Sequence, residues 1–260
     1  MTSLANDYES IVARGIAAFE RRAHAEESAP AAPACPPRDD SDRLARRVRA
    51  LTAAGWEARP LRVAQADTYD EARVADYLDA LRALDQAATG GVVVLAGRPG
   101  SGKTAAAARW ALGRPNAAVA ARFVPPMFLR AAAFFRSSRY QRGDDDKAPM
   151  SRDEILAQRA LVLDDAGAEY ADGVGNYRVD LDELVDKFYS DERILVVTTN
   201  IVYASPKARD AMAARGIAVD SAAPTFADRY GERIVDRLRE CGRWVSSGSA
   251  SMRSKAGGPA

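Results

Sequence analysis

Gly97 to Thr104 reads GRPGSGKT. Three glycines, Gly97, Gly100 and Gly102, let backbone N–H groups converge on phosphate oxygens where a Cβ would clash. Arg98, Pro99 and Ser101 complete the loop. Lys103 is placed to set an ammonium on the β- and γ-phosphates, and the Thr104 hydroxyl to ligate Mg²⁺. The residues from Thr104 onward, TAAAARWAL, predict a helix whose positive dipole end faces the phosphates. Just before the loop, Val92 to Ala96 is short and continuously apolar, as a parallel strand buried on both faces would be. Strand, loop and helix in that order predict a site for ATP with Mg²⁺.

Working outward, further short apolar runs occur at Ala120 to Val124, Ala160 to Leu163 and Ile194 to Thr198, with a weaker one at Arg243 to Ser246. Helical patterns separate them. The expected fold is therefore α/β, a doubly wound parallel sheet of five strands. The chain has 260 residues, of which 47% are hydrophobic and 28% charged, enough for a packed core. Its 37 Lys and Arg nearly cancel 36 Asp and Glu, so nucleic-acid contact would need a local basic patch. Two cysteines, Cys35 and Cys241, and one histidine, His24, exclude a disulfide framework or a Cys/His zinc site. No apolar run has the length of a membrane span and the N-terminus lacks a signal-peptide core, so a cytoplasmic protein without membrane association is expected.

Three further stretches carry candidate chemistry. ALVLDDAGAEY, Ala160 to Tyr170, is a buried strand ending in two carboxylates, delivered to the sheet edge where open α/β sheets bind ligands. Asp164 would hold Mg²⁺, and Asp165 would orient or deprotonate an attacking water. A carboxylate one methylene shorter than glutamate suggests slow intrinsic hydrolysis. ILVVTTN, Ile194 to Asn200, ends another strand in Thr199 and Asn200, whose side chains can bond a γ-phosphate or that water. RYGERIVDRL, Arg229 to Leu238, reads as a helix with Ile234, Val235 and Leu238 on one face and Arg233 and Arg237 one turn apart on another. Such arginines either cover a solvated face or reach a neighbouring subunit's γ-phosphate.

The order GRPGSGKT, LVLDDAGAE, VVTTN, GERIVDRL and GSASMR resembles the DnaC/IstB branch of AAA+ ATPases, over about Ala66 to Arg253. That branch contains replicative-helicase loaders and the ATPase helpers of certain transposases. The resemblance implies an AAA+ P-loop fold without a C-terminal lid domain. It implies ATP and Mg²⁺ at Lys103, Thr104 and Asp164, Asp165 as catalytic carboxylate and Asn200 as γ-phosphate sensor. Arg237 would be the finger acting in trans within a ring or spiral of subunits, with Arg233 supporting it. Arg253 falls where the family often ends in Ser-Tyr-Arg; the triplet here is Ser251-Met252-Arg253. Ala105 replaces a frequent histidine, and residues 201–227 form a longer connection than usual.

PPMFLRAAAFFRSSRYQR, Pro125 to Arg142, follows the second expected strand. Arg130, Arg136, Arg139 and Arg142 interleave with Phe128, Phe134, Phe135 and Tyr140, a pattern suited to single-stranded DNA. The phenylalanines fit core packing equally well. The family resemblance places here the element that meets single-stranded DNA in initiator-like ATPases. Residues 1–60 form a helical region, interrupted by a Pro/Ala linker at about 27–40, whose apolar faces suit docking on a partner. The ATPase domain is expected at 61–253 and a flexible tail at 254–260. These features lead to a DnaC-like loader that engages a replicative helicase. A transposition helper on duplex DNA that recruits a transposase is the alternative, and a nucleotide-binding adaptor that barely hydrolyses is the third reading.

Overall fold

The computed structural model describes residues 40–87, 90–114, 123–140, 150–168, 176–216 and 219–246. The expected first helix, the Pro/Ala linker, Arg142, Arg253 and the tail lie outside the described residues. Two compact units divide the chain, Met1–Arg43 and Leu44–Ala260. Leu51 and Trp56, within the expected N-terminal region of residues 1–60, are buried in the core of the second unit.

That unit opens with helices α1 (Asp40–Ala53, of which it contains the part from Leu44), α2 (Ala58–Gln65), a 3-10 turn (Glu71–Val74) and α3 (Ala75–Gln86). Helix α2 has no counterpart in the apolar periodicity, since Pro60 breaks the pattern. Proline is tolerated there because the first-turn N–H groups have no intrahelical acceptor. Strand β1 (Gly91–Ala96) leads through the glycine loop to α4 (Lys103–Gly113). Next come β2 (Met127–Arg130), α5 (Ala131–Tyr140), α6 (Arg152–Leu156), β3 (Ala160–Ala166), α7 (Asn176–Ser190) and β4 (Ile194–Thr199). The chain continues through α8 (Pro206–Ala214), α9 (Phe226–Tyr230), α10 (Glu232–Cys241) and β5 (Gly242–Ser246).

The five strands form one sheet in the order β2-β3-β4-β1-β5, all neighbours parallel. This is the expected α/β architecture. The second strand described is Met127–Arg130; of the run expected at Ala120 to Val124, Phe123 and Val124 lie outside any strand and the rest lies outside the described residues. Along β1, Val92 and Val94 enter one core and Val93 and Leu95 the other, the alternation of a strand covered on both faces. The first face is packed by α5, α7 and α10 through Phe134, Leu184, Phe188, Ile234 and Leu238. The second is packed by α1 to α4 through Leu51, Leu61, Tyr77, Leu81 and the alanines Ala106, Ala107 and Ala108.

Phe128, Phe134 and Phe135 belong to these cores, so the base-stacking reading of the three gives way to packing. The long connection after β4 contains α8, capped by Ser205, whose hydroxyl accepts from the Ala208 N–H at 3.3 Å. The expected arginine helix is cut at Gly231, with φ at 100°, into α9 and α10. Helix α10 then passes into β5 with no residue between them, and a Cβ on Gly242 would lie 2.6 Å from the Val92 carbonyl oxygen.

Candidate functional site

The C-terminal ends of β1, β3 and β4 deliver three short polar stretches to one cavity of about 580 Å³. The glycine loop supplies its floor. Gly100 and Gly102 have φ of 84° and 91°, in the left-handed region that a Cβ would strain. Gly102 directly precedes α4, so the first N–H groups of that helix open toward the loop. The loop is tied down from behind: the Tyr77 hydroxyl donates to the Ala96 carbonyl at 2.6 Å and lies 3.3 Å from the Ser101 hydroxyl. Tyr77, on α3, is fully buried.

Lys103 is buried, and its Nζ donates to the carbonyls of Gly97 at 2.8 Å and Arg98 at 3.1 Å, and to Asn200 Oδ1 at 3.0 Å. Asn200 in turn donates from Nδ2 to Asp165 Oδ1 at 2.7 Å. The Thr104 hydroxyl donates to Asp164 Oδ1 at 2.8 Å. Residues far apart in sequence, Lys103, Thr104, Asp164, Asp165 and Asn200, therefore meet in one polar cluster.

Consecutive side chains on a regular strand point to opposite faces. Asp164 and Asp165 nevertheless both line the cavity, because the β3–β4 register shifts between Leu163 and Ala166. Asp165 sits at φ 62° in this irregularity, a conformation that aspartate tolerates better than most residues. Thr198 holds the bend: its hydroxyl donates to Asp164 Oδ1 at 2.8 Å and accepts from the Asp165 N–H at 2.9 Å. Sequence reasoning had pointed instead to its neighbour Thr199. That hydroxyl is fully buried and engaged with the Ala166 carbonyl at 2.6 Å and the Ile201 N–H at 3.1 Å. The alternation of β4 was the signal that Thr198, not Thr199, faces the cavity.

Burial pushes the Asp164 carboxyl above the usual carboxylate range, opposed by the hydroxyls of Thr104 and Thr198. Thr104 and Asp164 offer oxygen donors only, the set a hard cation takes, and so fit Mg²⁺. Among the described residues no group of three or more His, Cys, Asp or Glu could hold a metal. Further ligands at such a site would be water and phosphate oxygens.

The cavity wall includes residues the sequence did not connect to it. Arg59, Pro60 and Val63 of α2 line it, as do Glu57 and Arg130. Arg130 ends β2, and its guanidinium donates to Glu57 through Nε at 2.6 Å and Nη2 at 2.8 Å. It thus faces the glycine-loop cavity, where the sequence had grouped it with DNA-contacting arginines. Arg136 is exposed on α5, and Arg139 lies on the same helix.

On α10, Arg237 Nε lies 3.1 Å from Asp186 Oδ1, and Arg233 Nη2 lies 3.3 Å from both Asp182 and Asp186. Arg233 is 68% exposed and Arg237 36%. Neither lines the cavity of its own chain.

No family model matches the sequence, and no curated protein matches it. Among solved structures, the crystal structure of the DnaC helicase loader aligns with a TM-score of 0.52 and 21% identity. The alignment covers 74% of this chain and 99% of that one. The crystal structure of DnaI aligns with a TM-score of 0.49 and 18% identity, over 74% of this chain and 94% of that one. The chain shares the fold of that DnaC structure, and its own sheet is parallel and five-stranded with the glycine loop after the first strand. Among the described residues no helix is long and apolar enough to cross a membrane.

Proposed function

We propose that this chain is a DnaC-like AAA+ ATPase that loads a replicative helicase onto single-stranded DNA during replication. The observation that carries the reading is the continuous hydrogen-bonded path from Lys103 through Asn200 to Asp165, with Thr104 and Asp164 beside it in the same cavity. Its support from outside the chain is the shared fold with the DnaC loader.

In this reading the backbone of Gly97, Arg98, Pro99, Gly100, Ser101 and Gly102 cradles the phosphates of ATP, and Lys103 neutralises their charge. Thr104 and Asp164 hold Mg²⁺, which lowers the charge repulsion at the reacting phosphate when bound. Asp165 orients or deprotonates the attacking water, and Asn200 couples that carboxylate to the lysine that meets the γ-phosphate. Arg237, supported by Arg233, completes the site of the next subunit in a ring or spiral, so turnover is slow until subunits assemble. Arg136, Arg139 and Arg142 supply the single-strand contact, and the first residues of the chain grip the helicase. Arg253 belongs to the nucleotide site by family resemblance alone.

The test is capture of a hexameric replicative helicase by the purified chain with ATP, repeated with residues 1–39 removed. That truncation spares Leu51 and Trp56, which a cut at residue 60 would strip from the core. Capture that is lost on truncation supports the loader and its N-terminal grip. ATP-dependent filaments on duplex DNA without helicase capture would move the assignment to a transposition helper. ATP binding without DNA-stimulated hydrolysis would move it to an adaptor.

A further inference from the structure

Arg130 stands at an unusual place for a surface arginine. It closes β2 and pairs in register with Asp164 on β3. Its side chain shares one cavity with Lys103, Thr104 and both carboxylates. In the structure its guanidinium is occupied by Glu57, the residue just before α2, through two parallel hydrogen bonds. Arg130 is 55% exposed and Glu57 42%, so water screens the pair and it is readily exchanged. A planar guanidinium released from a carboxylate matches a phosphate equally well.

We propose that Arg130 is a phosphate ligand of its own subunit, exchanging the Glu57 carboxylate for the γ-phosphate side of a nucleoside triphosphate on binding. The inference rests on the nucleotide reading above. Its position selects the γ side: Arg130 adjoins Asp164 across the sheet and lines the same cavity as Asp164 and Asp165. Glu57 then acts as a competitor. It repels an incoming phosphate while the guanidinium screens it, and it loses that partner when the phosphate takes over. The exchange makes affinity for triphosphate, more than for diphosphate, depend on the two residues. A pair that only fastens α2 to β2 would behave differently, because losing either partner would then have the same sign of effect.

The test is titration of the full chain with fluorescent ATP and ADP analogues in Mg²⁺, at concentrations too low for self-assembly, with thermal melts of every variant. Arg130→Ala should weaken ATP binding by about tenfold or more, the scale of a charge-assisted hydrogen bond, with a smaller loss for ADP. Glu57→Gln should tighten ATP binding, and the gain should vanish when combined with Arg130→Ala. Equal losses in both single variants, or no change in either, would overturn the exchange while leaving the nucleotide reading intact. Absence of nucleotide binding by the wild type, or binding undiminished in Lys103→Ala, would overturn the nucleotide reading and this proposal with it.

Discussion

Asn200 holds the Asp165 carboxylate: its Nδ2 donates to Asp165 Oδ1 at 2.7 Å, while its own Oδ1 accepts from the Lys103 ammonium. One amide therefore fixes both the Lys103 ammonium and the Asp165 carboxylate. Asn200→Ala should leave ATP affinity nearly unchanged and lower hydrolysis by about a hundredfold or more, as expected for a mispositioned acid–base group. Phosphate release and nucleotide titration on the same preparation check this. A parallel loss of affinity would place Asn200 in ground-state binding instead.

Arg237 is held 3.1 Å from Asp186 within its own chain. If it acts on a neighbour, assembly must draw it away from that carboxylate. Arg237→Ala should keep nucleotide binding and reduce assembly-dependent hydrolysis by about a thousandfold or more. Asp186→Asn should instead lower the protein concentration at which hydrolysis becomes cooperative. Hydrolysis that is identical in wild type and Arg237→Ala across a concentration series would remove Arg237 from the reaction.

Phe134 is fully buried, with Phe135 beside it at a ring-centroid distance of 5.3 Å. Phe134→Ala should destabilise the fold by about 3–5 kcal/mol, measured by urea unfolding. A variant of wild-type stability that had lost affinity for single-stranded DNA would return Phe134 to a stacking role.

The Glu57–Arg130 pair also predicts a pH dependence. The hydrogen bonds from Arg130 hold the Glu57 carboxyl below its usual 4.5, with burial opposing. A carboxylate lowered in the folded state contributes stability above the unfolded value and loses it as pH falls through the folded one. Melting curves of wild type and Glu57→Gln should therefore differ by a constant amount above pH 4.5 and converge below it. Because both side chains are substantially exposed, the gap should be at most about 1 kcal/mol and should shrink with added salt. A gap that widened on acidification would contradict the sign.

The parts most legible in sequence are those whose local chemistry and long-range placement coincide. GRPGSGKT, the two carboxylates after a buried run and the polar end of the next run each mark a strand end, and a parallel sheet brings such ends together. What escaped notice depends on tertiary context. The β2 strand, MFLR, runs into α5 without a turn residue, so its pattern merges with the helix. Glu57 is an ordinary surface acid until β2 places Arg130 against it. Thr198 and Thr199 are identical neighbours, separated only by which face of β4 each occupies.

The junction of α10 and β5 leaves no slack between the arginine helix and the sheet. Movement of Arg237 along its helix must be absorbed in the β5–β1 ladder, and β1 runs directly into the glycine loop. Chain length is therefore fixed at this point as it is not in the connection between β4 and α9. A single inserted residue would turn the helix by about 100° and send every β5 side chain to the opposite face. A library of one-residue insertions should find this joint among the least tolerant positions, even though it contributes no atom to the cavity.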